Sequence, residues 1–360
     1  MRKLALVCCV VLAAVICQPA YSRPKNFPEI TDGRAPQPQS PSGLRSRLSL
    51  RFYGALAGIG SGDLKSDILS RDEIYRDLAA AAEHGSVSGG HQPLRRAWGG
   101  GADLFVTLSS RLRLGLGFEY FRRDGTSSQS LNLVWMEKSF QTAQRTLRQF
   151  LDLAGIRIQA DVSFPLTGSL ALFAGAGAGL YNARVRHELK WVGNSEYWGF
   201  GRHIDQNGAW KTDWFKYSDG NWSQSDSIKF SALRLGGSGW LGVRLSISPR
   251  ISLFLQGRAL LLKIAGPQAE ESSSFRESRN ETAVLADLRT WNQTEDLESW
   301  SAVGKLEVYD FFSADLNKTY SFVTGNRAYR EQDSFNSGFR PAVVNLNNLQ
   351  VLFGVEIKLF

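Results

Sequence analysis

Eight segments of the chain alternate apolar and polar residues with period two, the signature of strands that bury one face. They cover 48–57, 101–108, 112–122, 154–164, 170–181, 233–247, 251–261 and 349–359. In the third, Leu112, Leu114, Leu116, Phe118 and Tyr120 share one phase, and Arg113, Gly115, Gly117 and Glu119 the other. In the last, Leu349, Val351, Phe353, Val355, Ile357 and Leu359 oppose Gln350, Gly354, Glu356 and Lys358. The apolar phase carries scarcely a charge in any segment. The polar phase mixes long charged residues with glycines, including Gly115, Gly117, Gly175, Gly177, Gly179, Gly236 and Gly242.

The connections alternate in length. Segments two and three, four and five, and six and seven are joined by Ser109–Arg111, by 165–168 and by 248–250, all with the Ser, Pro, Thr and Gly of tight turns. The other four connections are long, roughly 58–97, 123–150, 185–228 and 264–345. Short turns at one end and long loops at the other are the rhythm of outer-membrane barrels. Within the long loops the spacing predicts a surface helix over 67–84 and another over 281–297. Residues 181–191 and 209–217 are expected to extend strands into an external hairpin.

The start of the chain sets the expected compartment. Arg2 and Lys3 precede an apolar run from Leu4 to Ile16, and small residues follow at Ala20 and Ser22. That order reads as a secretory signal over 1–22, and its apolar run is shorter than the ~20 residues a spanning helix needs. Residues 23–46 are rich in Pro, Ser and Gly and read as an extended periplasmic lead, leaving 47–360 for the barrel and its loops. All 3 cysteines, Cys8, Cys9 and Cys17, lie within the signal. The processed chain therefore has neither a disulfide framework nor a thiolate metal site. The net charge of +8 suits an anionic surface. With export expected, that surface is a polyanionic lipid leaflet and not nucleic acid.

A soluble barrel would turn its apolar phase inward. Here the small residues fall in the polar phase, as suits the crowded inside of a narrow barrel, and the apolar phase suits lipid. Closure is then obligatory, because an unpaired backbone group in hydrocarbon costs several kcal/mol. The expected fold is all-β, an eight-stranded antiparallel transmembrane β-barrel with three short periplasmic turns and four long external loops. On its signal, alternating segments, turn rhythm and terminal Phe360, the chain over 48–360 resembles the small outer-membrane barrels of the outer-membrane protein A, X and W type. The resemblance implies a Gram-negative outer membrane and insertion by its assembly machinery, which reads the C-terminal strand. It also implies outer-membrane lipids and lipopolysaccharide as neighbours, and a monomer. Two features depart from the family: Phe360 falls one residue out of phase with Ile357 and Leu359, and the fourth loop is unusually long.

Two sets of residues are candidates for function. The polar-phase charges Arg51, Asp103, Arg113, Glu119, Arg157, Asp161, Arg234, Arg244, Arg258, Glu356 and Lys358 would line the lumen. They could make an anion-favouring or proton-conducting pore. The preferred reading is a plug of ion pairs, since eight strands leave room for side chains and not for a wide water column. The loop tryptophans Trp191, Trp198, Trp210, Trp214 and Trp222 could form a recognition surface or could pack the core of large loops.

The four histidines, His84, His91, His187 and His203, lie in or near long loops and read as surface residues. His187 adjoins Glu188, but neighbours on a strand point to opposite faces. No cofactor, metal or catalytic set is expected. The expected function is non-enzymatic: structural, ligand-binding or minor solute passage. The alternative is a lipid-modifying hydrolase or acyltransferase, which a cluster of His187 or His203 with a serine and an acid at one rim would favour.

Overall fold

The computed structural model describes residues 48–359 apart from 94, 136–137, 205–208, 286–287, 315 and 327–335. The signal, the Pro-rich lead and Phe360 lie outside the described residues. The alternating segments all form antiparallel strands. In chain order the first half holds β1 (Leu48–Ile59), helix α1 (Asp63–Ala81), β2 (His84–Gly89), β3 (Arg96–Thr107), β4 (Leu112–Trp135), β5 (Ser139–Pro165) and β6 (Leu170–Ile204). Then follow β7 (Trp210–Ser246), β8 (Ile251–Leu261), β9 (Lys263–Ala265), β10 (Gln268–Leu285) and β11 (Leu288–Lys305). The last are β12 (Glu307–Ser313), β13 (Lys318–Thr324), β14 (Asn336–Pro341), β15 (Val343–Asn345) and β16 (Asn348–Leu359).

Strand pairing runs β7–β6–β5–β4–β3–β1–β16–β8, and β8 pairs back to β7 over Gly237 to Ser246. The circuit therefore leaves no free edge at that level. Its outward side is apolar and bare: Leu235 is 79 % exposed and Ile158 71 %, with Leu116, Phe118, Ile156, Leu241 and Phe353 beside them in the same band. Its inward side holds polar residues out of solvent, among them Arg51, Glu119, Arg157 and Asp161. This is the inverse of a soluble barrel, and it is the polarity that the alternation predicts for a sheet in lipid.

The three short turns share one device. Ser109 Oγ accepts the N–H groups of Arg111 at 3.3 Å and Leu112 at 3.1 Å. Thr167 Oγ1 does the same for Ser169 and Leu170, and Ser248 Oγ for Arg250 and Ile251. A hydroxyl at the first turn position thus replaces the missing backbone acceptor. Ser109→Ala is expected to cost about 0.5–1.5 kcal/mol, the net worth of such a bond, measurable as a lower urea midpoint for unfolding.

Inside the circuit, glycine makes room for bulk. A Cβ on Gly175 would stand 2.5 Å from the Trp240 ring, and one on Gly117 would stand 2.4 Å from an Asp103 carboxylate oxygen. Neither site has space for the added atom, so Gly117→Val is expected to displace the Asp103–Arg157 pair. Overpacking of this kind costs about 1–3 kcal/mol, readable in the same unfolding assay.

At the end opposite the short turns the long connections fold, against the expectation of loops. β4, β5, β6 and β7 run on past the circuit as one continuous sheet, and β2, β10 and β11 extend it. The helix expected over 67–84 forms over Asp63–Ala81. The helix expected over 281–297 does not form: β10 and β11 make a hairpin there, with Leu285 opposite Leu288. Residues 281–297 include Thr282, Val284, Thr290, Trp291 and Thr294, and β-branched and aromatic residues favour strands once a neighbouring edge is available to pair with. β10 pairs with the free edge of β7 above the point where β8 stops. The segments at 181–191 and 209–217 do extend β6 and β7. A separate three-stranded sheet, β13–β12–β14, packs with α1.

Candidate functional site: the lumen charges and the cap

The lumen charges fall into two layers. In the layer nearer the short turns, Arg113 grips Asp161 through two N–H groups, Nε to Oδ1 at 2.9 Å and Nη2 to Oδ2 at 2.8 Å. Its third donor reaches Glu356 Oε1 at 2.5 Å. Arg51 bridges Glu356 at 3.0 Å and Asp161 at 3.4 Å, and Arg244 reaches Glu356 at 3.2 Å and Ser163 Oγ at 2.7 Å. Three guanidinium groups therefore face two carboxylates. The Arg51 guanidinium also sits 4.6, 4.9 and 4.5 Å from the ring centres of Phe105, Phe173 and Phe254, whose π faces offset part of the missing counter-charge.

The second layer is neutral. Arg157 donates to Asp103 Oδ1 at 2.6 Å, Tyr53 OH at 2.9 Å and Gln159 Oε1 at 2.9 Å, and it also pairs with Glu119. Arg258 pairs with the same Glu119 carboxylate and donates to Gln350 Oε1 at 2.5 Å. Glu119 is 0 % and Arg157 1 % exposed, so both charges are held out of solvent. Burying charge so deeply is tolerable because each guanidinium meets a carboxylate; Arg258 Nη1, Gln159 Nε2, Gln350 Nε2 and Glu119 Oε1 stay buried without a hydrogen-bond partner.

Nine of the eleven residues singled out in the sequence thus converge. Arg234 and Lys358 do not. Both are exposed, and Arg234 donates to the carbonyl of Leu233 at 3.0 Å. The alternation assigns them the inward phase, but they stand at the two ends of the circuit, where long cationic side chains turn out to water.

Above the second layer, α1 closes the open end. Leu64, Ile68 and Tyr75 are its buried apolar residues. Its carboxylates do the fastening. Asp63 accepts the Val343 N–H at 2.7 Å and pairs with Arg340. Asp67 accepts the Val323 N–H at 3.1 Å and pairs with Arg71. Asp72 accepts the His91 N–H at 2.7 Å and pairs with Arg145 at 3.1 Å. Asp77 accepts from Lys318 at 2.9 Å and Tyr320 OH at 2.6 Å. From β10, Glu271 accepts the N–H of Gly325 and the hydroxyl of Thr324, both at 2.6 Å. Asp67, Asp77 and Glu271 thus all hold β13 or its end, while Asp63 holds the chain at 340–343 and Asp72 that at His91. The sequence carried a trace of this pattern, since Asp63, Asp67, Asp72 and Asp77 recur every four or five residues along one helix.

The histidines correct another expectation. His91 and His187 are buried, not on the surface. Together with Asp67, Arg71 and Asp226 they line a cavity of about 20 Å³ under α1, the room of a single water. His187 Nε2 lies 3.1 Å from the Gln149 side-chain nitrogen and therefore acts as acceptor, which makes the ring neutral. Burial holds His187 down to about 4 and His91, with help from the Arg145 charge, to about 3. His187 thus meets an amide beneath a helix and not a serine at a rim. The side chain of His203 lies outside the described residues.

Of the loop tryptophans, Trp191 and Trp222 are partly buried against core clusters. The Trp191 ring lies edge-on to Tyr75 at 6.0 Å and to Trp222 at 6.4 Å, and Trp222 packs on the cluster of Tyr75, Leu131, Leu133 and Ala143. Trp198 is half-buried and donates to Glu196. The side chains of Trp210 and Trp214 lie outside the described residues.

No family model matches the sequence, and no curated protein matches it. Among solved structures, the chain is similar to the outer membrane protease OmpT of Escherichia coli, at 8 % identity and TM-score 0.28, over 87 % of this chain and 97 % of that one. It is also similar to a FadL homologue of Pseudomonas aeruginosa, at 7 % identity and TM-score 0.17, over 87 % and 90 %. In its own geometry the chain is an all-β, antiparallel structure with the inside-out polarity of outer-membrane barrels.

Proposed function

We propose that the eight-strand circuit crosses the outer membrane of a Gram-negative cell as a filled, non-conducting barrel that carries a folded cap on the outside. The carrying observation is the pairing of an exposed apolar exterior with charges buried in the lumen. Lipid suits the first, and the second leaves no path for solute. The circuit closes within one chain, so no second copy is needed to satisfy its edges, which supports a monomer. In scale the circuit matches the small barrels of the protein A, X and W type, with β16 as the strand presented to the assembly machinery. The role this supports is non-enzymatic: an anchor that displays the cap and the extended sheet as a structural or binding surface. A lipid hydrolase is not favoured, because His187 is covered by α1.

Purified protein in planar bilayers is expected to show no ohmic conductance, and the boiled and unboiled forms should migrate differently on a denaturing gel. Steady single-channel openings would overturn the filled lumen. Recovery of the protein without detergent would overturn the membrane assignment.

A further inference from the structure

Two cavities lie under α1, and they share one side chain. The outer one, described above, has Asp67, Arg71 and Asp226 on its wall. The inner one has the same size, about 20 Å³, and its wall is largely apolar: Ile59, Leu64, Leu151, Val185 and Leu346. His187 lines both. The strand register explains the arrangement. On β5 and β6, Leu147 stands opposite Leu189, Gln149 opposite His187, and Leu151 opposite Val185. Successive inward pairs are roughly 7 Å apart along the strands. Gln149 and His187 are thus a polar shelf between an outer and an inner apolar pair. α1 roofs both cavities, with Ile68 over the outer and Leu64 over the inner.

The shelf has hydrogen-bonding capacity to spare. His187 Nε2 accepts from the Gln149 amide nitrogen, so the ring proton is on Nδ1 and Gln149 keeps its Oε1. Among the described residues no hydrogen bond reaches Nδ1 or Oε1, although His187 is only 8 % and Gln149 3 % exposed. Turning the amide over and moving the ring proton would swap the two roles and still leave one donor and one acceptor. Buried groups of this kind ordinarily have a partner. The charges beside the outer cavity are already engaged. Arg71 pairs with Asp67, and Asp226 accepts from Gln224 and Ser273. The wall of the inner cavity carries no Asp, Glu, Lys or Arg.

We infer that the space around His187 binds a small uncharged molecule with a short apolar chain and a hydroxyl or amide head. The head accepts the Nδ1–H of His187 and donates to Gln149 Oε1, while the chain fills the inner cavity. A charged head would find no counter-ion there, and burying an unpaired charge costs far more than burying a hydrogen-bonded hydroxyl. Cavities that hold roughly one water apiece limit the ligand to a few heavy atoms. Entry is by the lifting of α1, whose fully buried apolar residues are only Leu64, Ile68 and Tyr75. The site lies in the interior of the folded chain, in lipid or detergent alike, so it does not rest on the membrane reading.

The test uses the full-length protein in detergent micelles, with hydrogen exchange of the α1 amides as the readout. The probes are n-propanol, propionamide, propionate and propylammonium. A ligand held only beneath closed α1 raises the protection of its amides about tenfold at ten times the dissociation constant. n-Propanol and propionamide are expected to do so in the millimolar range, as suits so few atoms, and the two charged probes are not. Val185→Phe, which fills the inner cavity, should abolish the effect. Gln149→Leu, which removes the acceptor, should raise the n-propanol concentration needed about tenfold, the worth of one hydrogen bond. Equal protection by the charged probes, or protection by none of the four, overturns the inference and leaves the membrane reading untouched. A Val185→Phe chain that keeps its heat-modifiable migration and responds as the unaltered chain does overturns it too. Should that variant not fold, an unchanged n-propanol midpoint in Gln149→Leu overturns it alone.

Discussion

Glu119→Leu is expected to destabilise the folded barrel by about 3–5 kcal/mol, the cost of stripping a buried ion pair of one partner. Glu119 is the carboxylate shared by Arg157 and Arg258, and it also accepts Tyr53 OH at 3.4 Å. Without it Arg157 still holds Asp103, but Arg258 keeps only uncharged neighbours, the Gln350 amide oxygen and the face of Tyr53, and its charge stays buried. The second change Arg258→Met should recover much of the loss, because an apolar chain of similar length carries no charge to strand. Urea midpoints of the single and double variants in lipid vesicles, followed by gel migration, measure both effects. A single-variant loss below about 1 kcal/mol would mean that water or a moved side chain already serves Arg258, and the layer would not be the closed network described.

Acidification is expected to loosen the cap before it touches the barrel. His187 and His91 are held neutral by burial, at about 4 and about 3, below the ordinary 6.5. Between those values and 6.5 the unfolded cap binds protons that the folded cap refuses. Stability is thus complete above about pH 6.5 and falls as the pH drops toward 4. For His187 the loss is on the order of 3 kcal/mol by the time the pH reaches its folded value.

The groups facing these rings set the balance. His187 faces Asp67 and Arg71 on α1, Gln149 on β5 and Asp226 on β7, and His91 faces Asp72, Arg71 and Arg145. Two further carboxylates act in the same direction at lower pH. Burial alone would raise Asp63, but Arg340 and the Val343 N–H outweigh it and lower it, and the Tyr320 hydroxyl and Lys318 lower Asp77. Both fastenings fade as the pH falls through and below the ordinary carboxylate range. Asp72, raised by burial, works the opposite way and takes up a proton without loss of the fold. Protection factors of the α1 amides, corrected for the intrinsic slowing of exchange in acid, should therefore fall between pH 7 and 4 while the gel shift of the barrel persists. The variant His91→Gln/His187→Gln should flatten that profile. If the protection factors of α1 are flat over this range, or the double variant responds as the unaltered chain does, the buried histidines do not govern the cap.

The sequence by itself determined the strands of the circuit, their inside and outside, and the nine charges that meet in the lumen, out of eleven that share their phase. It could do so because an apolar exterior on one side and a narrow polar interior on the other impose a single period on every strand. A one-residue slip would turn Leu116 inward and Glu119 to the apolar outer face, so the pattern admits one register. Turn chemistry was equally local: Ser109, Thr167 and Ser248 act within three residues of themselves. The tertiary structure alone decided the rest. Residues 281–297 form a hairpin because β7 offers an edge far away in sequence. His91 and His187 are buried because α1 descends over them, and Arg234 and Lys358 leave the network because they stand at its ends. Trp191 and Trp222 pack a core that exists only where β6, β7 and α1 come together. Beyond the exposed apolar band the surroundings no longer assign one face to each strand, so burial there depends on which distant segments meet. Such meetings leave no period in the sequence.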